Sequence, residues 1–278
     1  MTRRILYVEP VSRLAVWARR LALFGLLVTI LAVIIIRSGM LEFRPAVAAF
    51  GGAMAIVALA ILLALLSFIP IWRTGARGLG RSVAALAIGA VILAYPAYLA
   101  ASSYQLPAIY DVTTDTDDPP RFEVITRVRP REANPTDYPG AAVASLQHAA
   151  YSDIEPSTIE TTPQAAYEAA LSVINKRRWR VLNERPPQAN RREGVIEAVA
   201  LTPVMNFRDD VVIRIRAVPD GTRIDVRSAS RYSSRDFGAN AARIRSLLED
   251  IDDALATKPV PSPPAALPPA KPAQADKR

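Results

Sequence analysis

The chain has 278 residues, 51% of them hydrophobic, with a formal charge of +8 and a pI near 10. It contains no Cys and one His, His148, which excludes a disulfide framework, a thiol nucleophile, thiolate metal sites and a His-rich metal site within one chain. The charge would suggest nucleic acid in a soluble protein, but it partitions unevenly. Residues 1–104 carry ten Arg against Glu9 and Glu42 (+8), residues 105–258 carry 21 basic against 23 acidic groups (−2), and residues 259–278 carry three basic groups against Asp276 (+2). The surplus lies beside apolar segments, so it concerns the lipid bilayer, and nucleic acid is not an expected partner.

Three runs without Asp, Glu, Lys or Arg come first: Leu21–Ile36, Pro45–Trp72 and Ser82–Tyr110. A helix needs roughly 20 apolar residues to cross a bilayer. Residues 1–104 therefore read as a membrane anchor with transmembrane helices at about 20–37, 47–71 and 82–102. The first run reaches only ~24 Å at ~1.5 Å per residue, so Arg19, Arg20 and Arg37 would snorkel to extend it. Val11–Trp17 reads as a short interfacial helix. No ionisable residue lies inside the runs, which favours an anchor over a transport path. Gly51, Gly52 and the alanines through Ala64 permit close helix packing.

Short-loop arginines set orientation. Arg3, Arg4, Arg13, Arg19 and Arg20 precede the first run and Arg73, Arg77 and Arg81 follow the second, against only Arg37 and Arg44 between the first two. The expected placement is a Gram-negative inner membrane with the N-terminus cytoplasmic and residues 105–258 periplasmic.

Beyond the runs, Phe122, Val124, Thr126 and Val128 alternate as a short strand, and residues 129–160 read as a long loop. Thr162 and Pro163 are N-cap and first residue of a helix over Gln164–Arg178. Strands are predicted at Trp179–Glu184, Val195–Thr202, Val211–Val218 and Thr222–Arg231. A final helix runs from Asp236, its predicted N-cap, to about Ala256, with Ile244, Leu247, Leu248 and Ile251 on one face. The expected fold is thus an α-helical membrane anchor of three helices plus an α+β soluble domain, an antiparallel sheet of four to five strands with two helices. Residues 259–278 read as a disordered Pro/Ala-rich tail.

Asp220-Gly221 is a strong hairpin signal. A two-residue turn there pairs positions summing to 441 and sets Arg216 opposite Asp225 and Arg214 opposite Arg227, with Ile213, Ile215, Ile224 and Val226 on the core face. The like-charged Arg214–Arg227 pair needs neutralising, either by diagonal Asp225 or by a bound anion such as phosphate or a lipid headgroup.

The segment Asp225–Ile244 carries a Ser-Arg-x-x-x-x-Asp-x-Gly-x-Asn-x-x-Arg-Ile pattern on Ser230, Arg231, Asp236, Gly238, Asn240, Arg243 and Ile244. Upstream, Asp111, Thr114 and Asp115 precede Pro119, Pro120 and Phe122. These two elements resemble the bacterial and plastid family called domain of unknown function 1499, over roughly residues 105–256. The family's first Gly is Ser233 here, and its His before the first Asp is Tyr110. The resemblance implies no activity. It singles out Asp111, Thr114, Asp115, Arg231, Asp236, Asn240 and Arg243 as a ligand site or as a polar clasp, in which Arg231 and Arg243 pair with Asp111 or Asp115.

No catalytic residue, metal ligand or cofactor is predicted. The expected function is a non-catalytic binding or structural role in the cell envelope, with an envelope protein, a lipid or the cell wall as partner. The alternatives are a carboxylate- or metal-dependent envelope enzyme and a lipid-binding domain.

Overall fold

The computed structural model describes residues 10–188 and 193–257; the expected tail at 259–278 lies outside them. Three helices come first: α1 (Arg13–Arg37), α2 (Phe43–Thr74) and α3 (Leu79–Ser102). All three are long and apolar enough to cross a membrane, which marks the chain as membrane-associated. The expected interfacial helix at Val11–Trp17 is instead the first turn of α1. Ser12 caps it, accepting from the Ala15 N–H at 3.3 Å, so the helix starts well before the uncharged run and gains the length that run lacked.

Small residues let the helices approach. A Cβ on Gly89 would come within 2.6 Å of Ile61, and one on Gly25 within 2.9 Å of Val57. Ala18, Ala22, Ala60, Ala64 and Ala85 fill the seam, and the Ser67 and Ser82 hydroxyls join α2 to α3 at 2.5 Å. Leu23, Phe24, Leu27, Leu62, Leu65 and Ile69 point outward, exposed. At one end of the bundle Ser12 donates to Arg77 O at 3.0 Å and Arg77 N–H to Pro10 O at 2.8 Å, so the segment before α1 and the loop after α2 adjoin.

The remaining elements in chain order are β1 (Asp111–Thr113), α4 (Ile125–Val128), α5 (Ala141–Ala150), β2 (Ser157–Ile159), α6 (Pro163–Lys176), β3 (Arg180–Arg185), β4 (Glu193–Leu201), β5 (Arg208–Val218), β6 (Gly221–Ser230) and α7 (Ala239–Ala256). They form a six-stranded antiparallel sheet ordered β1-β6-β5-β4-β3, with β2 in series with β1 along the same edge of β6. Alternation assigns the faces. Ile196, Ala198, Ala200, Val211, Ile213, Ile215, Ile224 and Val226 meet α6 and α7 in the main core. Thr162 Oγ1 caps α6 by accepting from Ala165 N–H at 3.2 Å. The opposite face holds only a small apolar cluster of Phe122, Ile125, Val195, Val212 and Ala229; the rest is ionic.

Three expectations about the sheet domain are corrected. The alternation at Phe122–Val128 is not a strand: α4 forms there because the buried Glu197 carboxylate accepts from the N–H groups of Glu123, Val124 and Ile125 at 2.9–3.1 Å, nucleating a turn that seats Phe122 and Ile125 on the sheet. The supposed loop 129–160 contains α5 and β2. Within α5, Gln147 is fully buried and its amide completes the edge of β1, accepting from Thr113 N–H at 3.0 Å and donating to Thr113 O at 2.7 Å.

The third correction is the hairpin register. Val218 pairs with Gly221 and Arg214 with Asp225, so paired positions sum to 439 and the turn is Pro219-Asp220. Pro suits the first central position of a tight turn. Gly221 is needed for another reason: at φ 134 it lies against β2, where a Cβ would meet Ile159 O at 2.3 Å. A shift of two in the sum preserves the faces and changes the partners. The like-charged pair is therefore Arg216–Arg223, and Arg214 and Arg227 are not opposite one another.

Candidate functional site

β1 lies beside β6 with Asp111 opposite Ala229, which directs both Asp111 and Arg227 onto the ionic face. Arg227 donates from Nε and Nη2 to the two Asp111 oxygens at 2.9 and 2.7 Å. Its remaining donors reach Pro120 O at 3.1 Å and Thr136 O at 2.8 Å, and its guanidinium lies over the Phe122 ring at 4.7 Å. Burial pushes the Asp111 carboxyl above its ordinary range, against the pull of Arg227. Isolated charges so deeply buried are prohibitively costly; a bidentate pair with four of the five guanidinium donors used is far less so.

Next along the same face lie three carboxylates and three guanidiniums of cancelling charge. Asp225, fully buried, accepts from Arg214, Arg216 and Arg223 at 3.0, 2.9 and 2.7 Å. Asp115 contacts the same three at 3.3, 3.5 and 2.5 Å and also holds the N–H groups of Asp117 and Asp118 in a turn. Asp118 bridges Arg214 and Arg216, both at 3.0 Å. Its slight burial raises its pKa, but Arg214 and Arg216 outweigh that and hold it below the ordinary carboxylate range. The directly opposed Arg216 and Arg223 are thus neutralised by protein carboxylates. The Thr114 hydroxyl accepts from Val226 N–H at 2.9 Å and extends the β1 pairing.

At the far end of β5, Asp209 and Asp210 split between the faces. Asp210 takes Arg231 through both carboxylate oxygens on the ionic side. Arg129 Nε is also 2.9 Å away, as an ion pair without hydrogen-bonding geometry. Asp209 faces the helices and takes Arg243 at 2.6 Å. Asn240 stands between them: its amide donates to Tyr110 O at 2.9 Å and Ser230 Oγ at 3.1 Å, while its oxygen accepts from Ser228 and Arg243. Asp236 is not the residue just before α7, a place Gly238 holds. Its carboxylate nevertheless satisfies that helix start, accepting from Gly238 N–H at 3.1 Å and Asn240 N–H at 2.8 Å.

The pattern Asp111-x-x-Thr114-Asp115 with Arg231, Asp236, Asn240 and Arg243 is therefore a fold-wide polar frame. The expected pairing of Arg231 and Arg243 with Asp111 or Asp115 does not occur, because Asp209 and Asp210 are nearer along the sheet. Among the described residues the hydrogen bonds that tie the start of α7 to the segment entering β1 come from the Asn240 amide to Tyr110 O and from Asp236 N–H to Ile109 O at 3.0 Å. Residues 111–251, just over half the chain, match the family described as a protein of unknown function, DUF1499. The chain belongs to the DUF1499 family. No curated protein matches it.

Sequence reasoning missed Glu197, Asp209, Asp210 and Arg129 in this DUF1499 domain. The signal was available for three of them: an acidic residue inside an apolar strand, as in Val195–Leu201 or at the head of β5, must be paired or capping if it is buried. His148 is on α5, its Nε2 2.9 Å from Thr116 Oγ1 on the exposed surface. Among the described residues no three His, Asp or Glu side chains converge as a metal-ligand group.

Openings remain beside the frame, a smaller one of about 220 Å3 lying at Asp118, Glu123, Glu193 and Arg214. A cleft of about 500 Å3 is bordered by Asp117, Asp118, Arg121, Asp137, Tyr138 and Arg227. The Tyr138 hydroxyl is buried without a hydrogen-bond partner among the described residues, and burial pushes its pKa up to about 12. Asp117, Arg121 and Asp137 make the border of this cleft polar.

Proposed function

We propose that this DUF1499 protein is an integral inner-membrane protein of a Gram-negative bacterium, N-terminus cytoplasmic, presenting residues 105–258 in the periplasm for a non-catalytic binding or structural role in the envelope. One observation carries the non-catalytic reading: the buried carboxylates Asp111, Asp209, Asp210, Asp225 and Glu197 each accept from guanidinium or backbone N–H donors. A carboxylate so engaged is not free to take a proton from a substrate. The asymmetry of loop arginines supports the orientation. It is also supported by the adjoining of the segment before α1 and the loop after α2 at one end, with the α1–α2 loop meeting the soluble domain at the other.

Two measurements test this. A C-terminal alkaline-phosphatase fusion should be active and a green-fluorescent fusion dark; the reverse pattern refutes the periplasmic placement. Calcium, magnesium or manganese should leave the melting temperature of the full chain unchanged, whereas a rise of several degrees would favour the metal-dependent alternative.

A further inference from the structure

The soluble domain is joined to the bundle by a built junction. Arg37, at the end of α1, donates to Pro203 O at 2.6 Å and Val204 O at 2.9 Å, and Asn206 donates back to Arg37 O at 3.2 Å. Phe43, the first residue of α2, stacks on Tyr232 with ring centroids 4.5 Å apart and meets Phe207 edge-on at 4.9 Å. Two hollows flank these rings, of about 520 and 260 Å3, sharing Phe43, Phe207, Arg208 and Tyr232.

Their depth follows from helix length. Trp17 and Trp72 are exposed at the opposite end of the bundle, as aromatic anchors at a membrane–water boundary are. Arg37 lies twenty residues beyond Trp17 on α1, ~30 Å along the axis. Val47 lies twenty-five residues before Trp72 on α2, ~37 Å away. The hydrocarbon core is ~30 Å thick and the bilayer with headgroups ~40–45 Å, so the smaller hollow, bordered by Val47, opens at headgroup depth.

Its chemistry suits what is found there. The Arg208 side chain makes no hydrogen bond or ion pair among the described residues, and the Arg235 side chain uses one donor on Ser103 O at 2.9 Å and pairs with no carboxylate among them. The acids in the wall, Asp209 and Asp236, are already taken by Arg243 and by the start of α7. Glu42 and Glu132 border only the larger hollow. The apolar wall is exposed: Val47 is 46% and Phe237 41% accessible. Phe237 is moreover held at φ 52, a left-handed conformation that a bulky residue adopts only under constraint.

We propose that the smaller hollow is a phospholipid site. An anionic lipid of the leaflet on the domain's side sets its phosphate between Arg208 and Arg235 and lays the start of an acyl chain along Val47 and Phe237. The inference rests on the membrane-spanning reading of α1–α3 and deepens the binding role proposed above.

Native mass spectrometry of the full chain, released from nanodiscs of phosphatidylcholine with a minor share of phosphatidylglycerol, tests it. The wild type should keep one phosphatidylglycerol. The double variant Arg208→Gln/Arg235→Gln should keep about 25-fold less, each cation beside an anionic lipid being worth about five-fold, with an unchanged melting temperature because neither arginine is in an ion pair. Arg44→Gln, an exposed cation at similar depth but outside the hollow, should bind as wild type, and excess inorganic phosphate should not displace the lipid. Equal retention by the double variant, an equal loss with Arg44→Gln, or displacement by phosphate would each overturn the site. Carbonate extraction separates the two levels: a chain stripped from membranes refutes the spanning reading itself, whereas a chain that stays but keeps no lipid refutes only this site.

Discussion

The Asp111–Arg227 pair offers the sharpest measure of the ionic face. Their side chains are 0% and 2% exposed, and their two hydrogen bonds are 2.9 and 2.7 Å. Removing one partner of such a pair leaves a buried charge alone and costs about 3–5 kcal/mol. For a domain of this size 1 kcal/mol moves the melting temperature by about 2–4 °C, so Asp111→Asn should lower it by about 6–20 °C. Arg227→Gln should cost at least as much, since it also releases Pro120 O and Thr136 O. The double variant should cost about 2 kcal/mol less than the sum, because neither charge remains to be stranded. The assay is thermal unfolding of the full chain in detergent, followed by Trp179 fluorescence in a Trp17→Phe/Trp72→Phe background so that the soluble domain alone reports. A loss below about 3 °C for Asp111→Asn, or additivity within ~0.5 kcal/mol, would show that the pair is not coupled as argued.

Glu197→Gln keeps the shape but turns an amide nitrogen toward backbone donors; it should cost about 2 kcal/mol and raise hydrogen exchange at the amides of Glu123, Val124 and Ile125, and unchanged protection there would contradict the capping role. Gly221→Ala places a Cβ 2.3 Å from Ile159 O and should detach β2, read as lost protection of Ser157–Ile159 with β5–β6 intact. Burial pushes the Tyr138 and Tyr151 phenols up to about 12 from an ordinary 10. Since the folded values are the higher ones, the stability contributed by the neutral phenols is complete below pH 10 and is lost as pH rises from 10 through 12. A phenolate titration should therefore place Tyr138 and Tyr151 among the late tyrosines, with Tyr110 and Tyr167 also raised by burial; Tyr138→Phe should remove one late phenol at little cost in melting temperature, because its hydroxyl has no partner among the described residues, and ionisation of both Tyr138 and Tyr151 near pH 10 would refute the environment described.

What the sequence disclosed depended on the range of the interaction. The three apolar helices, the Thr162 cap of α6 and the face alternation of β5 and β6 depend on neighbours within a few residues, and each was legible. Face assignment survived even the wrong hairpin register, because a shift of two in the pairing sum keeps every side chain on its side. The register itself failed, since Gly221 answers to Ile159 more than sixty residues away. The Phe122–Val128 strand failed likewise: three consecutive backbone donors captured by Glu197, over seventy positions distant, outweigh a local alternation. In the polar frame the family pattern singled out part of the set, but Asp209, Asp210, Glu197 and Arg129 were missed, and so were the partners. Arg231 and Arg243 were separated by β5, whose adjacent Asp209 and Asp210 point to opposite faces and take one arginine each.

The ionic face also explains how a sheet this small receives two different covers. On one side α6 and α7 supply apolar stripes, and burial alone suffices. On the other the covering chain is Asp115–Arg121, which contains two prolines, three aspartates and no aliphatic side chain. Such a segment has little apolar area to bury, so its position has to be set by directional contacts: the Asp115 and Asp118 carboxylates and the carbonyls of Asp118 and Pro120, all received by arginines of β5 and β6. Replacing those arginines by aliphatic residues would remove the desolvation cost, yet it would leave the segment with nothing to dock on. The arginines of Arg214, Arg216, Arg223 and Arg227 are thus best understood as the complement of a polar lid, and the cleft bordered by Asp117, Tyr138 and Arg227 is the place where that lid stops short of closing the face.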